Sequence, residues 1–372
     1  MKILAITPVF FPQIGGIEAV VLELALRVNQ LGVQMDVAHV SKNNLHMSTE
    51  DVKGVKVFRI PLHGNRFMGW APALKDLARD YDLLHVHDPQ LLAITANVRF
   101  SCGQVPAVLS THGGFHHTAK HELFKTFYEK TLLRSSLCHY RRVLASSVGD
   151  EAYFREYSDR VVLCSNGVDV EKFSRVLPWQ EKSTDRWIYW GRLSKNKRVD
   201  LVIDYAAEAI KVGHPVDLMI CGRDFDNILD ELKRKVYDLG LDGNVRFEPF
   251  LDDNALLKEL DERGVYITAS EHEGFGLSLI EAMAAGLIVV CRNIIPLNSF
   301  IKAGKSGFFL NFDGKGMDQS VLLNLLTLDD GRAESISNNA REGARKYDWH
   351  NAAQDFLRHY RECIATDLTK IH

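Results

Sequence analysis

The sequence is poor in cysteine, in proline and in long uncharged apolar stretches. Its 372 residues include 6 Cys, 10 Pro and 26 Gly. The cysteines lie too far apart for the spacing of a zinc ribbon or a redox motif, and so little proline and glycine excludes a collagen-like or low-complexity chain. No stretch reaches the roughly 18 uncharged apolar residues that a membrane-spanning helix needs. We therefore expect a cytosolic protein with reduced, mostly buried thiols.

Charge is nearly balanced over the chain but unevenly distributed along it. The formal net charge is −3, which argues against a general nucleic-acid partner. Residues 1–178 hold 20 Lys and Arg against 17 Asp and Glu, together with 10 of the 15 His. The first half is therefore weakly positive, and we expect its partner to be anionic.

Apolar runs of strand length alternate with helical segments in both halves of the chain. Lys2–Thr7 and Val265–Thr268 are typical of buried strands, whereas Ile17–Leu31 has the apolar spacing of an amphipathic helix. This alternation predicts an α/β protein whose parallel sheets are covered by helices on both faces.

The alternation stops near residues 170–182 and then resumes, which divides the chain into two predicted domains. We expect an N-terminal doubly wound domain at 1–175 and a second one at 176–348. A last helix within 349–372 would pack back on the N-terminal domain. Because ligands of doubly wound sheets bind at the carboxyl ends of the strands, two such domains predict a shared central cleft.

A glycine-rich segment with two glutamates is the strongest functional motif. Residues 270–283 read SEHEGFGLSLIEAM, and seven residues separate Glu273 from Glu281. The segment follows a predicted strand and opens a predicted helix, so the backbone N–H groups at the helix start suit a diphosphate. Carboxylates at these two positions accept hydrogen bonds from sugar or ribose hydroxyls. A capped helix with solvated glutamates is the alternative for this segment alone.

A basic segment follows the predicted strand that ends at Trp190. Its sequence is GRLSKNKR, with four cations within seven residues at 192–198. Positive charge is unfavourable near a helix N-terminus, so this placement predicts an anionic ligand such as a phosphate. Arginine offers a fork of donors to phosphate oxygens, and lysine offers a point charge. A solvated charge cluster is the alternative.

Two further segments of the first half end predicted strands. Residues 110–118 read STHGGFHHT, and Gly15 and Gly16 follow the first strand. His117 and His121 are four residues apart, but neither a cysteine nor a nearby acid completes a zinc site. The pair of glycines is a weak phosphate-loop signal, and the chain has no G-x-G-x-x-G fingerprint.

Taken together, these features resemble the retaining GT-B glycosyltransferases of glycosyltransferase family 4. Such enzymes consist of two Rossmann-like domains that face a central cleft. A narrower resemblance, to the α-mannosyltransferases of xanthan- and acetan-type exopolysaccharide assembly, implies transfer of mannose from GDP-mannose to a polyprenyl-diphosphate-linked oligosaccharide or a similar glycan acceptor. The resemblance rests on Gly15-Gly16, Glu273 to Glu281, Arg192 with Lys197, and the segments 110–115, 117–119, 166–173 and 222–226, whereas His116 departs from the family pattern.

The resemblance also implies a role for each motif residue. Cations bind the donor diphosphate, carboxylates bind the hydroxyls of the transferred sugar and of the ribose, and a histidine lies beside the anomeric carbon. The residues implied in the reaction are His112, Arg192, Lys197 and Glu273. Those implied in donor binding are Gly15, Gly16, Arg192, Lys197, Arg223, Glu273, Gly274, Phe275, Gly276, Leu277 and Glu281. Those implied in acceptor binding are His112, His116 and His117.

We expect neither a metal ion nor another cofactor. Cations can stabilise the leaving diphosphate of an oxocarbenium-like reaction on their own. Two Asp-x-Asp pairs are present, at 80–82 and 224–226. The first is expected at the surface before a strand, and the second before a helix, where acids are ordinary partners of the helix dipole.

Residues 120–142 form a candidate membrane-contacting helix. They hold six Lys and Arg against two Glu, with apolar residues at helical spacing. A basic amphipathic helix is typical of a membrane-surface element, whereas an ordinary core helix with one solvated face is the alternative. With a lipid-linked acceptor, the protein would be cytoplasmic and peripheral on the inner face of the cytoplasmic membrane.

Other functions fit parts of these observations. A UDP-sugar donor is the chief alternative to GDP-mannose, and a nucleotide-sugar epimerase would share the fold but release a free sugar. A nicotinamide-dependent oxidoreductase would need the glycine fingerprint and a ribose-binding acid, and both are absent. A lectin-like binding protein would not need the complete set of charged motif residues.

Overall fold

The chain divides into two units in the computed structural model, which describes residues 1–12, 15–65, 69–87, 92–113, 129–312 and 318–368. Unit 1 comprises Met1–Gly167 together with Trp349–His372, and unit 2 comprises Val168–Asp348. The division therefore falls earlier in the chain than the boundary expected near 170–182, and the C-terminal segment belongs with unit 1.

Unit 1 contains one eight-stranded sheet. Its strands are β1 Lys2–Thr7, β2 Gln34–Ser41, β3 Ser48–Val52, β4 Val55–Pro61, β5 Leu83–Val86, β6 Ala107–Ser110, β7 Arg142–Ala145 and β8 Val161–Leu163. The order is β3-β4-β2-β1-β5-β6-β7-β8, and only the β3–β4 pair is antiparallel. The strand order reverses between β1 and β5, the point at which doubly wound sheets bind ligands.

The helices of unit 1 flank this sheet. Those described are α1 Gly16–Gln30, α2 Ala73–Ala78, α3 Leu92–Ser101, α4 Arg134–Leu137, α5 Val148–Arg155 and α13 Trp349–Leu368. A π-helical turn at Glu129–Leu133 precedes α4. Phe356 and Tyr360 of α13 are buried, and the Tyr360 hydroxyl lies 2.7 Å from His85 Nδ1 on β5. The last helix is thus part of the core of unit 1.

Unit 2 contains one fully parallel six-stranded sheet. Its strands are β9 Ser183–Trp190, β10 Asp217–Cys221, β11 Val245–Glu248, β12 Arg263–Thr268, β13 Ile288–Cys291 and β14 Gly307–Phe309, in the order β11-β10-β9-β12-β13-β14. Its helices are α6 Val170–Ser174, α7 Val199–Lys211, α8 Leu229–Asp238, α9 Asp253–Glu262, α10 Leu277–Ala284, α11 Gln319–Leu326 and α12 Asp330–Ala344. Here the strand order reverses between β9 and β12.

The sheet of unit 2 is buried on both faces, as expected for parallel strands between helices. Successive residues of β9 point to opposite faces: Trp187 and Tyr189 belong to one apolar cluster, and Ile188 and Trp190 to another. The predicted doubly wound α/β architecture is confirmed in both units.

Two short strands are absent from the sequence prediction. Strand β3 (STEDV) is polar and almost wholly exposed at the edge of its sheet, so it lacks the apolar alternation on which strand prediction depends. Strand β14 has only three residues. All six cysteines are described and free, and only Cys138 is exposed. Within the described ranges, no helix combines the length and apolarity needed to cross a bilayer.

Candidate donor-binding site

The candidate site of unit 2 lies at the carboxyl ends of three adjacent strands, β10, β9 and β12. The loops after β9 and β10 approach each other so closely that a Cβ on Gly222 would lie 1.7 Å from the carbonyl oxygen of Gly191. The Leu193 amide also donates to the Arg223 carbonyl at 2.9 Å. Only glycine at 222 permits this approach. The predicted residues Arg192 and Arg223 therefore lie on two loops that contact each other.

A cation and a carboxylate of the two main motifs meet where the strand order reverses. Lys197 Nζ donates to Glu273 Oε1 at 2.5 Å, and each side chain is only 13% exposed. Asn196 fastens the same two loops together, since its carbonyl accepts from the Glu271 amide at 2.8 Å and its side-chain amide donates to the His272 carbonyl at 3.4 Å. The β9–α7 and β12–α10 loops therefore form one surface.

The four cations at 192–198 have different environments. Arg198, which precedes α7 with a left-handed backbone, pairs with Asp200 and Glu271, and the side-chain bond to Asp200 is the main reason why its pKa is raised. Lys197 is neutralised by Glu273. Arg192 is exposed, with its guanidinium 5.1 Å from the centre of the Phe225 ring. Lys195 is exposed as well, so Arg198 is the cation of this segment that two carboxylates hold.

The glycine-rich segment forms the start of α10. Gly276 precedes the helix with φ 95°, a left-handed conformation that favours glycine, and a Cβ there would also lie 2.6 Å from Leu297. The backbone N–H groups of Phe275, Gly276 and Leu277 have no acceptor among the described residues. Phe275 itself packs its ring on Phe300, so its backbone is the part that can bind a ligand.

The second glutamate of the motif lies within α10, next to the end of β9. The indole N–H of Trp190 donates to Glu281 Oε2 at 3.1 Å. Burial raises the pKa of Glu281, while the indole donor and the charge of Lys172 act in the opposite direction. Glu281 is therefore held in place by a neighbouring side chain that sequence reasoning missed, although Trp190 stands directly before the basic segment.

The acids of the second Asp-x-Asp pair accept backbone hydrogen bonds. Asp224 accepts from the amides of Ile228 and Leu229 at the start of α8, at 2.9 and 3.1 Å, and Asp226 accepts from the Lys195 amide at 2.9 Å. Asp224 thus interacts with a helix start, as expected. Arg223 is exposed, and its guanidinium lies 5.2 Å from the centre of the Phe250 ring.

The predicted residues of unit 1 lie beside the point where its own strand order reverses. Gly15 precedes α1 and Gly16 begins it, and a Cβ on Gly15 would lie 2.6 Å from Glu18 Oε2. His112 follows β6, and its Nε2 lies 3.2 Å from Nδ1 of His87, which follows β5. Burial lowers the pKa of His112 to about 4, so the imidazole is neutral at physiological pH.

Some predictions fall outside the described residues. His116, His117 and residues 120–128 of the candidate membrane helix are among them. In the described remainder, Leu133 and Leu137 are buried in the core of unit 1, whereas Leu132 is 36% exposed. This part of 120–142 therefore has the apolar face of a core helix.

Two doubly wound units, one of them with paired cationic and carboxylate side chains at its strand ends, fit the GT-B fold. Residues 169–343 match the family model described as "Glycosyl transferases group 1", and residues 14–172 match "Glycosyltransferase Family 4". Together the two models span residues 14–343, and the chain is a glycosyltransferase with the GT-B fold.

Relatives and solved structures match the chain over almost its full length. It is 29% identical to the GDP-mannose:cellobiosyl-diphosphopolyprenol α-mannosyltransferase of Xanthomonas oryzae, over 98% of this chain and 97% of that one. It is 25% identical to the phosphatidyl-myo-inositol mannosyltransferase of Mycolicibacterium smegmatis, over 97% and 93%. Sucrose-phosphate synthase of Thermosynechococcus elongatus shares the fold, with a TM-score of 0.77 at 17% identity over 98% and 100% of the two chains.

Proposed function

We propose that this glycosyltransferase moves mannose from GDP-mannose to a polyprenyl-diphosphate-linked oligosaccharide, with retention of the anomeric configuration and without a metal ion. The observation that carries the proposal is the assembly, at the carboxyl ends of the strands, of Lys197, Glu273 and Glu281 with the amides at the start of α10, which have no acceptor among the described residues. The full-length similarity to mannosyltransferases supports the choice of donor.

In this proposal each part of the donor meets a group that suits its chemistry. Lys197 and Arg192 bind the diphosphate, together with the amides at the start of α10, where the helix dipole favours negative charge. Glu273 accepts hydrogen bonds from the mannose hydroxyls, and Glu281 accepts them from the ribose. Arg223 and the Phe250 ring next to it flank the base.

The reaction breaks one C–O bond and forms another on the same face of the sugar. The bond between mannose C1 and the β-phosphate oxygen breaks as the acceptor oxygen bonds to C1. The acceptor hydroxyl proton passes to the leaving phosphate oxygen. Lys197 and Arg192 stabilise the negative charge that grows on the departing GDP, which is the main electrostatic demand of such a transition state.

Thermal unfolding tests the donor and the absence of a metal requirement together. We expect GDP and GDP-mannose to raise Tm by several degrees with EDTA present, because a ligand at a hundred times its Kd adds about 2.7 kcal/mol. Glu281→Ala should reduce that shift, and NAD serves as a negative control. Stabilisation by UDP alone would overturn the choice of mannose, and a shift abolished by EDTA would overturn the metal-free mechanism.

Transfer itself is tested with two lipid probes. We expect radiolabelled mannose from GDP-mannose to appear on a polyprenyl-diphosphate-linked cellobiose and not on phosphatidylinositol. Transfer to phosphatidylinositol alone would refute the proposed acceptor but leave the donor intact. Release of free mannose or an epimer without transfer would refute the reaction.

We further propose that unit 1 contacts an anionic membrane, where a lipid-linked acceptor would lie. Phe100, at the end of α3, is 72% exposed, and the Arg99 guanidinium lies 4.9 Å from the centre of its ring. Arg160 donates to the carbonyl of Cys138 at 2.8 Å, next to His139, and burial and the charges of Arg99 and Arg160 lower the pKa of His139. An exposed aromatic ring among cations suits an anionic lipid surface.

Vesicle sedimentation tests this contact. Replacing Arg99 by Gln and Phe100 by Ser should weaken binding to vesicles that contain phosphatidylserine. Tyr237→Ser in unit 2 removes a similarly exposed aromatic residue, 73% exposed, and should leave binding unchanged. Equal sedimentation of both variants and the wild type would refute the contact.

A further inference from the structure

Three histidines of unit 1 form a contiguous group from β5 to the loop after β6. His85 and His87 have no exposed surface. The centres of their rings are 3.9 Å apart, and the rings of His87 and His112 are inclined by only 23° with centres 5.4 Å apart. The candidate reaction residue His112 is therefore supported by a second histidine, which sequence analysis did not single out.

The hydrogen bonds of this group are unevenly distributed. Both ring nitrogens of His85 have partners, Nε2 with Ser110 Oγ at 2.7 Å and Nδ1 with the Tyr360 hydroxyl at 2.7 Å. His87 uses Nδ1 towards His112 Nε2 at 3.2 Å. Its Nε2 is buried and has no partner among the described residues.

This unpartnered nitrogen decides which histidine donates. Burial lowers the pKa of all three rings, so each is neutral and carries one N–H. If His112 donated from Nε2, the N–H of His87 would be on Nε2, buried without an acceptor. In native proteins, a buried acceptor without a donor is less rare than a buried N–H without an acceptor. The favourable arrangement is donation from His87 Nδ1–H to His112 Nε2.

We propose that His87 is a positioning residue that fixes His112 as the Nδ1–H tautomer. His112 then offers its Nδ1–H as a hydrogen-bond donor to a substrate oxygen, and its only basic lone pair, on Nε2, already accepts from His87 and cannot take a proton from substrate. This excludes His112 as the base for the acceptor hydroxyl and leaves the departing phosphate to take that proton. The catalytic consequence of this tautomer rests on the proposed function, whereas the assignment of the tautomer does not.

Histidine nitrogen NMR of the free protein tests the tautomer directly. Long-range ¹H–¹⁵N spectra distinguish Nδ1–H from Nε2–H rings, and His112→Gln identifies the His112 signals by their loss. We expect the Nδ1–H pattern for His112 in the wild type. An Nε2–H pattern would overturn the inference.

Two variants of His87 distinguish the effect of its N–H donor from the effect of its side-chain volume. His87→Asn keeps an N–H donor near the place of Nδ1 and should preserve the His112 tautomer, whereas His87→Phe should shift it towards Nε2–H. Tyr360→Phe removes a bond to the neighbouring His85 and should leave the tautomer unchanged. A tautomer that survives in His87→Phe would show that His87 does not set it.

Kinetics give the second readout. We expect His87→Phe to lower kcat about 10- to 100-fold, the cost of a misplaced reaction group, with little change in the KM for GDP-mannose, whose proposed contacts lie mainly in unit 2. His87→Asn should restore most of kcat. Equal loss in both variants would overturn the positioning role. If no sugar is transferred but the tautomer is as expected, the proposed function fails and the tautomer assignment stands.

Discussion

At the scale of single residues, the contact between Lys197 and Glu273 deserves a functional explanation. A partly buried ion pair is weak evidence for stability, because desolvation of the two charges offsets most of their attraction. This pair lies between two loops at the reversal of strand order and near the start of α10, where a ligand gains from both charges. We therefore expect its loss to affect the reaction more than the fold.

Lys197→Ala should lower kcat by about a hundredfold or more, because it removes charge that stabilises the leaving diphosphate. Lys195→Ala is a matched control, since Lys195 belongs to the same loop but its side chain is exposed. Steady-state kinetics together with Tm measure the two effects. Near-normal turnover in Lys197→Ala, or a similar loss in Lys195→Ala, would remove Lys197 from the mechanism.

Glu281→Gln should stabilise the free protein while weakening donor binding. Burial raises the folded-state pKa of Glu281, so the ionised group lowers stability at pH values above that pKa. The effect disappears below the ordinary glutamate pKa, where the group is protonated in both states. The gain in Tm should therefore be present at pH 8 and shrink as the pH falls.

The same substitution should weaken the binding of GDP-mannose, although it stabilises the free protein. Loss of a hydrogen bond to a charged acceptor should raise the KM for GDP-mannose about tenfold. Glu342→Gln, at a glutamate whose side chain is 70% exposed, should change neither Tm nor KM. A lower Tm for Glu281→Gln at pH 8 would contradict the argument.

Sequence reasoning singled out the charged residues of the candidate donor site but did not predict their pairing. Glu273, Glu281 and Lys197 are recognisable because each adjoins a strand end or a glycine-rich helix start. Their contacts are not, since Lys197 and Glu273 are 76 positions apart and Trp190 and Glu281 are 91 positions apart. The His87–His112 contact is hidden for the same reason, because pairing depends on which strands are neighbours.

At the scale of elements, the site depends on the close approach of the loops after β9 and β10. Strand prediction failed at the polar edge strand β3, where no apolar pattern exists, and at β14, which has only three residues. Contacts between loops are even harder to predict from sequence. Gly222 is one of 26 glycines, and only the fold shows that a side chain there would collide with the Gly191 carbonyl oxygen.

Gly222→Ala should disrupt this approach, because the added Cβ would collide with the Gly191 carbonyl oxygen. We expect a loss of about 3 kcal/mol, the upper end for overpacking, and weaker GDP binding as Arg192 and Arg223 are displaced. Gly243→Ala is the control, since a Cβ there meets nothing within 4 Å. Denaturant unfolding and calorimetric GDP titration check both effects, and unchanged values for Gly222→Ala would refute the role of the contact.

At the scale of the whole molecule, the chain leaves unit 1 at Gly167 and returns to it at Trp349. Unit 1 is therefore discontinuous in sequence, whereas unit 2 is one uninterrupted segment. Trp349, Phe356 and Tyr360 of the returning helix are all buried, at 4%, 1% and 0% exposed. The two units thus differ in what they lose when the chain is shortened from its C-terminus.

Truncation after Asp348 should unfold unit 1 and spare unit 2. Loss of one buried large aromatic side chain costs about 3–5 kcal/mol, so loss of three exceeds much of the 5–15 kcal/mol that stabilises a typical domain. The main proposed donor contacts lie within Val168–Asp348, which keeps both of its apolar clusters. We expect scanning calorimetry to retain one transition that GDP raises, while mannose transfer is lost. If GDP no longer raises that transition, residues of unit 1 such as Gly15 and Gly16 supply an essential part of nucleotide binding, and the donor site is not a property of unit 2 alone.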